Sequence, residues 1–400
     1  MRTVPATQRR APALDIAVVG GGMVGAAAAL ALSRAGFATA LLEAHAPVAW
    51  QRLDDVDLRV VGLAPSSIKL LDELGVWTSI RDARACAYTH MHVWDAGNGA
   101  AIDFDAADEG RDQLGCIVEN NLVQWQLWQA LDAAGVQRLC PVAVKDFEAR
   151  TDRVMLELAD GESIAVRLLV AADGGNSPLR ERAGIATSGR DYAQRAVVAH
   201  VTTEHPHAHT CWQRFLPSGP LALLPLADGR SSLVWSLPES EARRVLALDD
   251  AAFAKELGVA SDFRLGRILA TTRRAAFPLR LQLAQSYQAQ RFVLLGDAAH
   301  VVHPLAGQGV NLGLRDVAQL RDVLAAARDA GRDFASSPVL QRYARRRRSA
   351  DTLDAYGFDA LARIYAWRGM PWVAARGLGV RLVDRLQPLK RRLAAHAAGL

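Results

Sequence analysis

Three glycines in the spacing Gly20-x-Gly22-x-x-Gly25, followed by a carboxylate at Glu43, are the first residues whose types and spacing suit a definite chemistry. That chemistry is the holding of a dinucleotide. Gly20 would make a tight turn, Gly22 would let backbone amides approach a pyrophosphate, and Gly25 would let a helix pack closely on a strand. Glu43 is then placed to accept from a ribose hydroxyl, and nothing in the pattern separates FAD from NAD. Two later segments narrow the choice. Asp173-Gly174-Gly175-Asn176-Ser177-Pro178-Leu179-Arg180 carries Ser177 as a helix cap and Pro178 at the first helical position. The run GDAAHVVHPLAGQGVNLGLRD, Gly296 to Asp316, carries Gly307, Gly309 and Gly313 for close backbone approach. Its amides at Gln308 to Asn311 open a long helix, whose positive end suits the N1/O2 edge of a reduced, anionic flavin.

Each motif needs a strand to hold it. Leu14 to Val19, LDIAVV, is apolar and β-branched, as a parallel strand buried on both faces should be. An alanine- and leucine-rich helix follows over Met23 to Ala35 and ends at Gly36, and a second strand over Ala38 to Leu42 closes on Glu43. This is a βαβ unit. Similar strand ends recur at Leu168 to Asp173 and Phe292 to Asp297, so three distant segments are expected to meet around one ligand. From about Arg195 to Leu237 the texture changes to short β-rich pieces, RAVVAHVTT, TCWQRFL, PLALLPL and SSLVWSL, which read as an inserted antiparallel sheet. Tyr88 to Phe104, turning at Gly97-Asn98-Gly99, reads as a hairpin joining it. After Gly309 the chain reads as mostly helical.

Composition bounds the function. The chain has 400 residues, half of them hydrophobic and 22% charged, which excludes disorder and makes two or three packed units the expectation. Cys86, Cys116, Cys140 and Cys211 form no CxxC pair, so neither a zinc site nor a disulfide framework is indicated and a reducing compartment fits. The uncharged stretch Ile16 to Ser33 is broken by four glycines and belongs to the βαβ unit rather than to a membrane span. Residues 1–13 carry arginines but no apolar run, so a secretory leader is not expected and the cytoplasm is. Net charge is +5, yet residues 341–400 alone hold thirteen Arg or Lys against four Asp. A basic C-terminus points to an acidic surface partner there and away from a nucleic-acid-binding protein as a whole. His200, His205, His207 and His209 suit a strand and loop rather than a metal site, and no serine sits in a nucleophile elbow. The Arg345 to Arg348 run reads as a solvated helix face.

The stretch His303 to Asp316, HPLAGQGVNLGLRD, resembles the signature of the ubiquinone-biosynthesis aromatic hydroxylases, a branch of the flavin monooxygenases related to p-hydroxybenzoate hydroxylase. The resemblance runs almost end to end. It takes in the GGGMVG opening, Asp57 to Arg59 before LGVW, Val118-Glu119-Asn120 followed by Gln124, the Asp173 loop and QRFLPSGPLALLPL. Gly62, where alanine is more usual, and Val301-Val302, in place of threonine-isoleucine, depart from the pattern without removing a polar contact.

The resemblance implies an α/β fold: a Rossmann-like FAD-binding domain in three parts (13–75, 105–188 and 286–348), interrupted by an inserted, mainly antiparallel substrate sheet (hairpin 76–104 and 189–285), with a helical C-terminal segment (349–400). It implies FAD, with NADPH or NADH as electron donor, and a prenylated phenol or quinol substrate hydroxylated by O2 through a flavin C4a-hydroperoxide. Gly20, Gly22, Gly25 and Glu43 would hold the adenosine diphosphate half. Arg59 and Gln124 would reach the pyrophosphate and ribityl region, and Asp297, beside Gly296, the ribityl hydroxyls. Gly309, Val310 and Asn311 would face the flavin ring, with Gly307 among the cofactor-binding glycines, while Asp173, Gly174 and Arg180 match a loop serving both FAD and the nicotinamide donor. Leu224, Pro225 and Pro304 fall nearest the reacting ring, and Leu221 to Leu226 would line a path for an isoprenoid tail. A flavin-dependent prenyl-lipid reductase and a catalytically silent FAD-binding subunit stay open. Leu378, Leu382, Leu386, Leu389 and Leu393 line one face of an expected helix beside Trp367 and Trp372. That face, with its arginines, is the expected contact to the inner face of a membrane, to a quinone-biosynthesis complex, to the protein's own body or to a second copy in a homo-oligomer.

Overall fold

The computed structural model describes residues 14–302, 308–366 and 369–399. Strand Leu14–Val19 lies at the centre of a parallel sheet, in register with Ser163–Ala171 on one side (Val18 opposite Val170) and Thr39–Leu42 on the other (Val18 opposite Leu41). Phe292–Leu294 and Gln137–Leu139 extend it, also parallel, so five strands run in one direction. Such strands must be buried on both faces, which is why they read as continuous apolar runs. Helix Met23–Arg34 supplies one cover: Ala26 to Leu32 are at most 1% exposed, and small side chains let it lie close to the sheet between helices Gln308–Asp329 and Asn120–Ala133. Its alanines also favour the helix intrinsically, and Gly36, at φ +89°, ends it.

A second sheet of nine strands stands against the first. Its central strand, Thr187–Thr203, pairs antiparallel with Ser231–Pro238 and with Ala275–Ala284. Gly219–Pro225 and Thr210–Leu216 continue the order, and the hairpin of His90–Asp95 and Ala101–Asp105 forms the far edge. That hairpin joins through a parallel pairing of His90–Asp95 with Thr210–Leu216, in a sheet otherwise antiparallel. At the opposite edge His300–Val301 pairs with Gln282–Leu283, so the third cofactor motif is stitched directly to this sheet. Cys86–Tyr88, just before the hairpin, belongs instead to a three-stranded sheet with Gly115–Glu119 and Val60–Leu63.

Two boundaries differ from the sequence expectation. Helix Ser337–Ala366 runs unbroken through position 348, where the C-terminal segment is expected to begin. The leucine stripe is not one helix face either. Helix Met370–Arg385 stops at Leu386, and Gln387–Ala398 begins anew with Pro388 in its first turn, because a proline has no amide to continue the preceding hydrogen-bond ladder. The first of these helices docks on the hairpin: Arg376 pairs with Asp95 at 2.6 Å, and Asn98 donates to the Val373 carbonyl at 2.8 Å. Among the described residues no helix is long and apolar enough to cross a membrane.

Candidate functional site

The first glycine loop divides into packing glycines and an open one. A Cβ on Gly25 would lie 1.9 Å from the Gly20 carbonyl oxygen, and one on Gly20, at φ +105°, 2.3 Å from the Ala172 carbonyl oxygen. Both must be glycine for the helix, turn and neighbouring strand to approach. Gly22, by contrast, has no atom of the described residues within 4 Å of its would-be Cβ. It caps helix Met23–Arg34 with no side chain on the first amides, which leaves that positive end open to an anion. Gln124 and Trp128 both donate to the Gly21 carbonyl at 2.7 Å and hold the loop from behind. Glu43 accepts from the Gly21 amide and, at 2.9 Å, from the His45 amide. A carboxylate oxygen has a second lone pair, so Glu43 can still take a ribose hydroxyl.

The second and third loops are tied to each other. Ser177 caps helix Pro178–Arg182 by accepting from the Arg180 amide at 2.9 Å, and Asp173 accepts from the Leu179 amide at 3.2 Å. Gly174 supplies the positive φ of the turn, +84°. Arg180, 5% exposed, donates to the carbonyls of Gly175 (3.1 Å) and Ala298 (3.0 Å), bridging the two loops. Burial lowers the pKa of this guanidinium and raises that of the Asp173 carboxyl. In the third loop Gly296 turns at φ +55° and presents Asp297 to an open cavity. Asp297 touches water there, yet protein surrounds it, and this desolvation pushes its carboxyl up against the pull of His300, Arg59 and Arg280.

The three loops share one cavity of about 500 Å³. Gly22, Gly25, Arg59, Gly174, Asp297, Gly309 and Val310 line it from the cofactor side. The nine-stranded sheet supplies the facing wall, apolar at Ala222, Leu224, Val234 and Phe277 and polar at Gln213 and Ser236. Among the described residues nothing stands within 4 Å of a would-be Cβ on Gly309, as on Gly22, and Asn120, on the cavity wall, has a buried Oδ1 without a hydrogen-bond partner. Open backbone at two helix starts, an unused acceptor and a carboxylate among cations fit a flavin dinucleotide.

Other expected residues are placed differently. Asn311 is fully buried, and its side chain brackets strand Val60–Leu63 by donating to Gly62 O at 2.8 Å and accepting from the Ala64 amide and the Ser67 hydroxyl, so it does not present that side chain to a ring. Leu224 lines the cavity but Pro225 does not, and Leu221 and Leu223 point into the second core, because side chains alternate along a strand. Gly307 and Pro304 lie outside the described residues, as does Trp367. Arg280 and Ser236 are cavity residues outside the motifs that carry the resemblance, and Gln213, which opens the stretch QRFLPSGPLALLPL, is one to which the resemblance gives no role. Polar residues alternating with leucines in AAFPLRLQLA were the one available sign, for Arg280.

Three glycine-bearing strand ends around a cavity closed by an inserted sheet define the class: a dinucleotide-binding α/β fold of the flavoprotein monooxygenase type. The p-nitrophenol 4-monooxygenase PnpA of Pseudomonas putida DLL-E4 superposes with a TM-score of 0.77 over 96% of this chain and 97% of that one, at 20% identity. Residues 13–353 match the family described as FAD binding domain. The 3-demethoxyubiquinol 3-hydroxylase of Escherichia coli K12 is 38% identical over 387 residues, covering 96% of this chain and 98% of that protein. The mitochondrial ubiquinone biosynthesis monooxygenase COQ6 of Homo sapiens is 34% identical, covering 96% and 92%. The chain therefore belongs to the FAD-binding family of flavin-dependent aromatic hydroxylases, in its ubiquinone-biosynthesis branch.

Proposed function

We propose that the protein hydroxylates the aromatic ring of a prenylated phenol or quinol intermediate of ubiquinone biosynthesis. A ring C–H becomes C–OH, the second oxygen atom of O2 leaves as water, and NADPH or NADH supplies the two electrons. The observation that carries this reading is the single cavity in which the three cofactor loops face an apolar wall from the inserted sheet. Bound FAD would supply the reduced flavin that activates oxygen, chemistry no side chain here could perform. The chain's own residues hold and shield. The open amides after Gly22 would receive the pyrophosphate, Asp297 would accept from ribityl hydroxyls, and the helix start at Gly309 and Val310 would stabilise negative charge on the ring edge. Ala222, Leu224 and Phe277 would exclude water and orient the substrate ring. Arg180 ties the second and third loops together, Asp173 holds the start of the second loop's helix, and the nicotinamide donor is read to use the same loop.

The substrate's isoprenoid tail is too apolar to travel through water, and the C-terminal helices offer a way to collect it. Trp372, Leu378 and Leu382 are 59, 67 and 58% exposed on helix Met370–Arg385, which also carries Arg381 and Arg385. Exposed apolar side chains among arginines suit peripheral contact with an acidic membrane surface. The function is tested by supplementing a quinone-deficient extract with the protein, a nicotinamide donor and labelled dioxygen. One labelled oxygen in a quinone precursor is expected; oxidation of the donor without label in any product would favour a non-hydroxylating subunit.

A further inference from the structure

Behind the cavity, among residues that do not line it, four charged side chains meet with at most 7% exposure: His300, Asp316, Arg347 and Asp351. They come from three elements. His300 sits on the short strand after the Gly296 loop, Asp316 on helix Gln308–Asp329, and Arg347 and Asp351 one turn apart on helix Ser337–Ala366. Asp316 is the hub. Its Oδ1 accepts from Arg347 Nε at 2.6 Å; its Oδ2 accepts from His300 Nε2 at 2.7 Å and from the Gly296 amide at 2.9 Å. Arg347 also donates to Asp351. Two carboxylates and a histidine in this arrangement could hold a metal ion, but the guanidinium already lies between the carboxylates and supplies the positive charge.

The bond to Gly296 gives the cluster its meaning. Gly296 is the residue immediately before Asp297, and it holds a left-handed turn that determines where the Asp297 carboxyl points. A buried carboxylate is costly without partners, so a site that gathers an arginine, a histidine and one loop amide around it fixes all of them together. Helix Ser337–Ala366, which carries Arg347, reaches the substrate sheet at its other end. There Asp359 pairs with Arg190 and accepts from the Tyr192 hydroxyl at 2.9 Å, and Tyr365 stacks on Phe215 with ring centroids 3.8 Å apart. One helix thus grips the cofactor loop and the substrate wall.

We infer that Asp316 is a positioning residue for the cofactor: through the Gly296 amide it sets Asp297, and through Arg347 it links that loop to the helix bearing on the substrate sheet. This rests on the FAD reading above. The test compares Asp316→Asn with Asp95→Asn, which breaks a buried ion pair of similar exposure at the distant hairpin. FAD is titrated into each apoprotein by flavin fluorescence, at a temperature where circular dichroism shows both folded, and the visible circular dichroism of bound flavin is recorded. Asp316→Asn is expected to weaken FAD about tenfold and to alter the flavin band, while Asp95→Asn keeps wild-type affinity and spectrum. Equal affinity for Asp316→Asn and wild type, or equal losses in both variants, would overturn the inference. Wild-type protein that takes up no FAD would instead overturn the cofactor reading. Should Asp316→Asn not fold, amide hydrogen exchange on the wild type decides: the Gly296 amide should exchange as slowly as those of Phe292–Leu294, and exchange at the rate of an open loop overturns the role.

Discussion

Helix Met23–Arg34 and the pair Met370–Arg385 and Gln387–Ala398 are built from similar apolar material, mostly alanine, leucine and valine, and meet opposite fates. In the first, every residue from Ala26 to Leu32 is covered; in the others Leu378, Leu382, Leu386, Leu389 and Leu393 are all at least 41% exposed. The difference lies in what the backbone allows. Gly20 and Gly25 let the first helix sink against the parallel sheet until nothing larger fits, and other helices close over it. Of the C-terminal pair, Met370–Arg385 is held to the hairpin by Asp95 with Arg376 and Asn98 with Val373, and Gln387–Ala398 is held through His396 with Asp354; these polar grips fix an orientation without covering the leucines. Hydrophobic content specifies that a face wants cover; close backbone approach decides whether the protein's own body provides it.

The sharpest break in this comparison should come at Gly25. Gly25→Val would drive side-chain atoms into the Gly20 carbonyl, and we expect a loss of at least ~3 kcal/mol and no folded, flavin-binding protein by circular dichroism and size-exclusion. Gly22→Ala meets nothing within 4 Å among the described residues, so its melting temperature should match wild type. FAD affinity should nevertheless fall by about tenfold or more, because the added methyl would stand where we propose that the pyrophosphate approaches. Equal thermal losses in the two variants would erase the distinction between packing and binding glycines.

Next in size is Asp297→Ala. The carboxyl faces the cavity and bonds to no protein donor among the described residues, so its removal should leave folding intact and cost FAD about 1–3 kcal/mol of binding. Calorimetric titration of the apoprotein measures it. An unchanged dissociation constant would remove Asp297 from the cofactor site.

A comparable effect should appear as pH dependence of stability. Burial alone would depress the His300 imidazolium, but Asp316 and Asp351 outweigh it and bring it to about 9. Burial and the Asp316 charge push Asp351 up to about 7 against the pull of His300 and Arg347. Both groups bind protons more tightly folded than unfolded, where their values are roughly 6.5 and 3.9, so their stabilisation is lost as pH rises. Asp316, pulled down by His300 and Arg347 in spite of burial, acts in the opposite sense, on the acid side. Tyr287 and Tyr343 also face the cluster, and burial pushes both above the ordinary phenol range, out of this window. Raising the pH from 6.5 to 9 should therefore lower stability by on the order of 2 kcal/mol, and His300→Gln should flatten the curve. A level wild-type melting profile over that interval would show that His300 carries no proton there.

Much of the cofactor half was legible because its requirements are local. A glycine demanded by φ or by backbone approach, a capping serine before a proline and a continuous apolar strand each announce themselves in a few residues, as Gly20, Ser177 and Leu14–Val19 do. The linkages between segments were not legible. Arg347 lies within the run Arg345 to Arg348 that reads as a solvated face, yet it is 7% exposed, and only the fold brings Asp316 under it. Asn311 sits in the signature as though for the ring, while its side chain serves Gly62, Ala64 and Ser67, more than 240 residues away in the chain. Leu224 and Pro225 could have been separated, since strand alternation alone puts neighbours on opposite faces. Pro388 likewise announced the break in the leucine stripe.

The smallest effect on stability should come from the C-terminal leucines, and it tests the other side of the comparison. Leu378 and Leu382 are more than half exposed, so replacing both with glutamine removes little buried surface and should shift stability by no more than about 0.5 kcal/mol. Had they lined a core, the same double change would cost several times as much. What should change is adhesion. Wild-type protein should sediment with vesicles containing anionic lipid and much less with neutral ones, since each arginine near such a surface contributes about 1 kcal/mol and the contribution is screened by salt. Leu378→Gln with Leu382→Gln should weaken sedimentation on anionic vesicles while leaving its salt sensitivity, because the apolar contribution is lost and the charges remain. Arg381→Gln with Arg385→Gln should do the reverse, abolishing the preference for anionic lipid. Undiminished sedimentation in both double variants would show that the exposed leucines await some other cover, a partner chain or a second copy, which analytical ultracentrifugation of the wild type would then reveal as a mass above the monomer.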